Sequence, residues 1–362
     1  MKNPAAEVQS KLESLRGLMA LHHLSALELK QTNNLAWVTA GVPTYINEAT
    51  DTSPLTILIT PEKAYALTTS IEAPRLQDEG RLESLGFEMV VEKWHSAGAK
   101  AAELIDDRPY ADDLSAPMAG AISALRTTLM PEEIARLREG AKLAAAAMNQ
   151  AVRGVRPGDS EYQLAARLAA AARERGGLPI VNLIASDERI FKYRHPLPTA
   201  KQVEKYAMLV LCMRWYGLVI SVTRLIHFGK LPDEIAAKMA ACARVDAKLI
   251  LSTKPGRTLG ELFEVAKAAY AAEGYPEAID EHHQGGSVGY APREVVAKPG
   301  TPTLIADNQA FAWNPSIRGV KSEDTILVTD SGPEVLTEIA GWPLIPVTVD
   351  EGQIARPAIL EA

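Results

Sequence analysis

The chain has 362 residues, which is long for one hydrophobic core, so two domains are expected. Its 38 basic and 45 acidic side chains give a formal net charge of −7, which argues against a nucleic-acid partner. The two cysteines, Cys212 and Cys242, both lie in apolar surroundings, so neither a disulfide framework nor a thiolate metal site is expected. The chain lacks a run of about 18 apolar residues, and residues 1–16 are polar, so we expect a cytoplasmic protein without a membrane span.

Short β-rich runs alternate with helical stretches over the first part of the chain. The predicted elements are a helix over 8–22, strands over 24–30, 35–39 and 55–59, a helix over 71–80 and a strand over 87–91. This alternation predicts a small α/β domain over residues 1–125.

The pattern of apolar and polar residues changes at Pro131. Together with Glu132 and Glu133, this proline is typical of the start of a helix. A long amphipathic helix is predicted from there, followed by helices over 161–175, 233–251 and 259–272 and strands over 180–184, 207–213, 218–225, 310–313 and 325–329. Helices and strands come in separate runs, which predicts an α+β domain over residues 126–362.

Several short motifs occur in one order along this second domain. They are Met130-Pro131-Glu132-Glu133, Val155-Arg156-Pro157-Gly158, His195-Pro196, Thr223-Arg224, the glycine turn at 285–289, Asn314-Pro315 and Glu323-Asp324-Thr325. In this order the motifs resemble the creatinase, prolidase and methionine aminopeptidase superfamily. The resemblance implies a pita-bread catalytic domain, preceded by a smaller creatinase-type N-terminal domain, and assembly as a homodimer.

Peptidases of that superfamily hold two metal ions with two Asp, one His and two Glu. The corresponding positions in this chain are Val210, Ser221, Gly286, Asn314 and Glu323. Only Glu323 is a carboxylate, and a pair of divalent ions needs several charged oxygen or imidazole ligands. The resemblance therefore implies a chain that uses no metal ion, and no cofactor is expected.

Creatinase is a metal-free member of the superfamily, and its general acid/base is a histidine that resembles His195. A neutral imidazole is the usual proton-transfer group near neutral pH, so His195 is the predicted catalytic group. Glu323 and Asn314 are predicted to polarise and orient the substrate. If Glu323 is buried without a metal ion, its pKa is expected to be raised. A nucleophilic role for Ser221 is an alternative, disfavoured because no Gly-x-Ser-x-Gly elbow is present.

The other predicted site residues would bind substrate. His282 and His283 precede the glycine turn, and Arg293, followed by Glu294, offers a bidentate clamp for a carboxylate. The competing interpretation is a structural ion pair between Arg293 and Glu294. Trp215, Trp313 and Ser221 complete the set of predicted substrate-binding residues. Core packing is the alternative role for both tryptophans.

The resemblance and the surviving titratable groups together predict a metal-independent, creatinase-like hydrolase. Its substrate would be a small, polar, nitrogen-containing metabolite that bears a carboxylate and is cleaved at a C–N bond. One alternative is a non-catalytic pseudo-peptidase that binds peptides or metabolites, as the peptidase-like domain of a histone chaperone in this superfamily does. Another is an Xaa-Pro peptidase-like enzyme with a rearranged metal site built from His282, His283, Glu281 and Glu323.

Overall fold

The structure is a computed structural model, and it describes residues 4–362. Contacts divide the chain into two compact units, one of Met1–Ile134 with Tyr216–Leu218 and one of Ala135–Trp215 with Val219–Ala362. Within residues 4–362, no helix is both long and apolar enough to cross a membrane.

The first unit contains one five-stranded sheet in the order β4-β3-β2-β1-β5. Strands β1, β2 and β3 are antiparallel neighbours, whereas β4 and β5 each pair in parallel with the strand beside them. The strands are β1 Ala26–Gln31, β2 Thr52–Ile59, β3 Ala64–Thr69, β4 Glu88–Glu92 and β5 Tyr110–Asp112. The helices are α1 Pro4–Leu21, α2 Thr32–Val38, α3 Ala73–Asp78, α4 Ala99–Ile105 and α5 Ala116–Thr127, with 3₁₀ turns at Leu82–Leu85 and Trp94–Ser96.

One predicted strand in this unit is wrong, because residues 35–39 belong mainly to helix α2. The segment is buried along almost its whole length, so it shows neither the two-residue period of a strand nor the 3.6-residue period of a helix. Its β-branched and aromatic residues then favoured the strand interpretation.

The second unit is built from helices α6 Pro131–Arg153, α7 Glu161–Arg173, α8 Glu188–Lys192, α9 Asp233–Ser252, α10 Leu259–Ala272 and α11 Ala278–Glu281. Strands β6 Leu178–Ser186, β7 Tyr206–Trp215, β8 Leu218–His227 and β18 Leu360–Glu361 form a four-stranded sheet in the order β18-β8-β7-β6. Strands β9 Gly285–Val288, β10 Val295–Val296, β11 Ala310–Trp313, β14 Asp324–Thr329 and β15 Gly332–Val335 form a five-stranded sheet in the order β10-β9-β11-β14-β15. Two hairpins complete the unit, β12 Ser316–Ile317 with β13 Val320–Lys321 and β16 Leu344–Val349 with β17 Gly352–Pro357.

The first turn of α6 belongs to the N-terminal unit. Lys11 Nζ lies 2.7 Å from Glu133 Oε1 and 2.6 Å from Glu7 Oε1, and all three side chains are buried. Lys11 therefore joins α1 to the first turn of α6 through buried ion pairs, and the loss of one partner of such a pair is costly. The division between the units accordingly falls inside this helix, after Ile134.

Helices α9 and α10 cover the large core of the second unit, which includes Leu249, Tyr270 and Phe311. Helix α10 begins at a capping box, in which Thr258 and Glu261 satisfy each other's backbone N–H groups. Its predicted range agrees with the structure, as does the range of β11.

Strands β8 and β14 meet where the predicted site residues lie. The Ser221 N–H donates to Thr325 Oγ1 at 2.8 Å, and that hydroxyl donates to the Ser221 carbonyl at 2.9 Å. One step further along, Thr223 and Glu323 form an isolated β-bridge. These bonds fix Ser221, Thr223 and Glu323 next to one another.

Candidate functional site

Three predicted histidines come together at one place in the second unit. His195 lies after α8, and His282 and His283 lie between α11 and β9. The Nε2 atoms of His195 and His282 are 2.9 Å apart, so one ring donates a hydrogen bond and the other accepts it. The rings of His282 and His283 are stacked, with centroids 4.4 Å apart. The three side chains come from two segments far apart in the sequence, and they form one histidine cluster.

The surroundings of the histidine cluster keep all three rings neutral at pH 7. Burial, assisted by the charge of Lys321, lowers the pKa of His282 to about 3. Burial and the charge of Arg293 lower the pKa of His283 to about 4. The pKa of His195 is also below its usual value, because of burial and then the charge of Lys321. A neutral imidazole pair in hydrogen-bond contact has one lone pair and one N–H available for proton transfer.

Glu323 lies between two cations. Its Oε1 is 3.2 Å from Arg293 Nη2, and its Oε2 is 3.0 Å from Lys321 Nζ. The hydroxyl of Thr223 donates to Oε2 at 2.6 Å. Both carboxylate oxygens are therefore engaged, and the side chain is 2% exposed.

The expectation that Glu323 has a raised pKa was wrong. Burial alone would raise the pKa, but the charges of Lys321 and Arg293, with the hydrogen bond from Thr223, lower it to about 2. The carboxylate is thus ionised at neutral pH. It is a fixed counter-ion for two cations.

The ion pair between Arg293 and Glu294, which the sequence left open as an alternative, is replaced by other contacts. Arg293 pairs with Glu323, while Glu294 Oε1 accepts from the N–H groups of Tyr290 and Ala291 at 2.9 and 3.1 Å. Glu281, one of the residues of the rearranged metal site, pairs with Arg318 at 2.6 Å.

Ser221 is fully buried and does not have the contacts of a nucleophile. Its Oγ lies 3.3 Å from Cys212 Sγ and 3.4 Å from Arg293 Nη1. Within residues 4–362, no imidazole is hydrogen-bonded to it, so no base is in place to activate the hydroxyl. Its place in the site is beside Arg293.

Buried polar atoms without a hydrogen-bond partner occur on residues at or next to Glu323 and the histidine cluster. Asn314 follows β11 and is 3% exposed, and its Oδ1 has no hydrogen-bond partner among the described residues. The same holds for Arg293 Nε and His282 Nδ1. Buried polar atoms are nearly always paired in folded proteins, so a group of unpaired ones indicates a place that takes a polar ligand or water.

The two tryptophans are used for packing. Trp313 is 1% exposed, stacks on Phe311 at 5.9 Å and donates from Nε1 to Thr253 Oγ1 at 2.9 Å. Trp215 is also buried, and a methyl group added at Gly140 would lie 3.1 Å from its ring. The structure therefore favours the core-packing interpretation over a substrate-covering role for Trp313 and Trp215.

Steric contacts explain why two positions of the glycine turn, Gly285 and Gly286, carry no side chain. Gly285 has φ +113°, and a Cβ there would lie 2.1 Å from the carbonyl oxygen of Ala312. A Cβ at Gly286 would lie 2.0 Å from the carbonyl oxygen of Val295. Any side chain at Gly286, including a metal-binding one, is excluded by this backbone.

The donor set does not fit a pair of divalent ions at the positions the superfamily uses for them. Val210 is apolar, Gly286 cannot carry a side chain, and Glu323 already has both oxygens paired with cations. Within residues 4–362, the histidine cluster is the one group of three donors close enough for a single ion, with ligand atoms within 4.8 Å of one another. The charges of Lys321 and Arg293, which oppose a proton on these rings, oppose a divalent cation there as well.

Sequence reasoning missed Lys321. This lysine stands on the two-residue strand β13, is 5% exposed, and pairs with Glu323. A signal was present, because residues two apart in an extended segment point to the same side. The spacing Lys321-x-Glu323 therefore indicates that both side chains face one site.

The layered second unit, with these residues grouped where its two sheets meet, has the pita-bread architecture of the superfamily named above. The family model "Metallopeptidase family M24" matches residues 135–330, more than half of the chain. The chain belongs to this family.

Known relatives agree with this assignment. An Xaa-Pro dipeptidase of Pyrococcus horikoshii is 24% identical over 317 residues, covering 81% of this chain and 89% of that protein. An uncharacterized peptidase of Bacillus subtilis is 25% identical over 233 residues, covering 61% of this chain and 65% of the relative, less than two thirds of its length. The crystal structure of a prolidase from Pyrococcus horikoshii matches with a TM-score of 0.77 at 20% identity, covering 91% of this chain and 98% of that one, which shows the shared fold.

Proposed function

We propose that this protein hydrolyses a C–N bond in a small, polar, nitrogen-containing compound without a metal ion, in the manner of creatinase. The observation that carries the proposal is the state of Glu323. Two side-chain cations hold its oxygens, in the place where a metallopeptidase of this family needs that carboxylate for its ions. A proton-transfer pair, His195 and His282, lies in the same unit.

The proposed reaction uses His195 as both base and acid. His195 takes a proton from water as the water oxygen forms a bond to the reacting carbon. The same proton then passes to the leaving nitrogen as the C–N bond breaks, so His195 returns to its neutral form. His282, 2.9 Å away, fixes the tautomer and orientation of His195 through their hydrogen bond.

Other residues position the substrate in this proposal. Arg293 binds the carboxylate of the substrate, and Glu323 holds Arg293 in place. The free Oδ1 of Asn314 accepts a hydrogen bond from a substrate N–H group. Glu323 is a positioning residue, since its lowered pKa removes it from proton transfer.

A peptidase reaction is the second candidate, favoured by the family and by the relative described as an Xaa-Pro dipeptidase. A dipeptide also carries a C–N bond and a free carboxylate, so the same residues suit it. The two candidates differ in metal dependence. The non-catalytic alternative is less well supported, because simple binding does not require a hydrogen-bonded pair of neutral imidazoles.

The test is a hydrolysis screen with protein that has been dialysed against a strong chelator. The panel contains amides, amidines and ureas that bear a carboxylate, together with Xaa-Pro dipeptides, and release of the nitrogen product is measured. We expect turnover of at least one compound, and loss of that turnover in His195→Ala. Turnover that appears only after a divalent ion is added would favour the metal-dependent peptidase.

We also propose that the protein is a homodimer, as the resemblance to prolidases implies. Solution scattering gives the molecular mass directly. A monomer at concentrations at which the protein is active would remove this proposal.

A further inference from the structure

The group formed by Lys321, Glu323 and Arg293 has an unbalanced positive charge. One carboxylate is shared between two cations, at 3.0 and 3.2 Å, which leaves one positive charge in a largely buried place. The adjacent Asp324 does not offset it, because its oxygens pair with Arg224 at 2.8 Å and Arg356 at 2.6 Å. The chain as a whole is acidic, so this local excess is opposite in sign to the net charge.

The neighbouring groups do not neutralise that charge. The three rings of the histidine cluster are neutral at pH 7, and no carboxylate other than Glu323 is among the charges that act on His195. His282 and Lys321 line the same narrow cavity, with Arg194 also on its wall. Arg293 keeps a buried Nε that has no hydrogen-bond partner among residues 4–362. A local excess of positive charge with an unused donor attracts a group with negative charge and acceptor oxygens.

We infer that Lys321 and Arg293 together form an anion-binding site that takes one oxyanion group of the substrate, with Glu323 as their shared counter-ion. The inference rests on the proposed function only in assigning the anion to the compound that is hydrolysed. It reverses the polarity of the metallopeptidase site, in which side-chain anions bind cations. Here side-chain cations bind an anion, and Lys321 becomes a substrate-contacting residue alongside Arg293.

The inference is tested by whether anion affinity falls when a positive side chain is removed and rises when the negative one is removed. Binding of inorganic phosphate and of formate is measured by calorimetry at low ionic strength, for the unaltered protein and for the variants Lys321→Met, Lys321→Arg and Glu323→Gln. Lys321→Met should weaken both anions by at least about tenfold, the loss expected for a hydrogen bond to a charged group. Lys321→Arg should stay within a few-fold. Glu323→Gln removes the competing negative charge and should tighten binding by at least about fivefold.

Controls separate a local effect from misfolding. Lys238→Met removes another ion-paired lysine, whose partner is Glu234 at 2.7 Å, and should leave anion binding unchanged. Thermal unfolding identifies any variant that has lost its fold, and Lys321→Arg and Glu323→Gln then still decide the question. The inference is overturned if folded Glu323→Gln binds the anions more weakly or equally, or if Lys321→Met binds them unchanged.

The same variants distinguish an anion site from a metal site. Titration with Mn²⁺ or Zn²⁺ should show weak binding in the unaltered protein, and a site for cations would respond to Glu323→Gln and Lys321→Met with the opposite signs. Failure of the inference is separable from failure of the proposed function. If the variants change anion affinity as expected but no substrate is turned over, the anion-binding site is supported and the hydrolase is not. If turnover depends on His195 but the anion affinities do not change as expected, the hydrolase is supported and the anion-binding site is not.

Discussion

The proton-transfer assignment predicts a large loss of turnover in His195→Ala. The substitution removes the ring whose Nε2 lies 2.9 Å from that of His282, and it takes away no other hydrogen bond that the structure assigns to His195. General acid–base catalysis contributes about 10²–10⁴ in rate, so kcat should fall by this factor, or about 2.7–5.4 kcal/mol in activation free energy. Because the hydrogen bond to His282 is lost, the free energy of unfolding should fall by about 0.5–1.5 kcal/mol.

The assay is steady-state hydrolysis of the compound found in the screen, with kcat and KM determined separately. KM should stay within a few-fold, because the loss falls on the transition state rather than on substrate binding. His22→Ala, which alters an exposed histidine next to α1, is the matched control and should be silent. A kcat for His195→Ala within threefold of the unaltered value would refute the assignment and turn attention to His282 and His283.

Three further predictions concern binding and stability. Arg293→Ala should weaken substrate binding by about 1.5–3 kcal/mol, the range for a hydrogen bond to a charged group, and an unchanged KM would contradict the carboxylate clamp. The free energy of unfolding should fall as the pH is lowered from 7 toward 4, because the unfolded chain binds protons near 6.5 that His282 and His283, with pKa values of about 3 and 4, do not bind when folded. When the free energy of unfolding is measured with urea at pH 7, 6 and 5, each of these two histidines should contribute a slope of at most about 1.4 kcal/mol per pH unit. The total slope should be smaller in His282→Asn. An equal slope in that variant would contradict the lowered pKa of His282. Trp313→Ala should cost about 3–5 kcal/mol in unfolding free energy, against less than about 0.5 kcal/mol for the exposed control Trp94→Ala, and equal costs would mean that Trp313 is not in the core.

The sequence predicted the bounds of helices and strands best where hydrophobic periodicity or a helix cap marks them. Helix α10 and strand β11 have the predicted bounds, because a capping box marks the start of the helix and a short apolar run marks the strand. Residues 35–39 were mispredicted, since a segment buried on all sides carries no period. The fold itself was predicted from ordered motifs rather than from these local signals.

Most residues of the candidate site could be predicted from the sequence, but their ion pairs and pKa values could be predicted only in part. The structure brings His195, His282 and His283 together, and it places Arg293 beside Glu323. The pKa of Glu323 could not be obtained from its own position, because it depends on two cations that come from other strands and loops. Lys321 was missed although the spacing Lys321-x-Glu323 was present, because that spacing is informative only once the segment is known to be extended.

The proposed reaction at this site needs no metal ion. The most direct measurement is the turnover of protein whose metal content has been brought below one tenth of an ion per chain by chelation, with that content verified by elemental analysis. We predict that such protein hydrolyses its C–N substrate at the same rate as untreated protein, and that added Mn²⁺, Co²⁺ or Zn²⁺ does not increase the rate. If activity is lost on chelation and restored by one of these ions, the reaction is metal-dependent and this chain is a peptidase of the ordinary kind in its family.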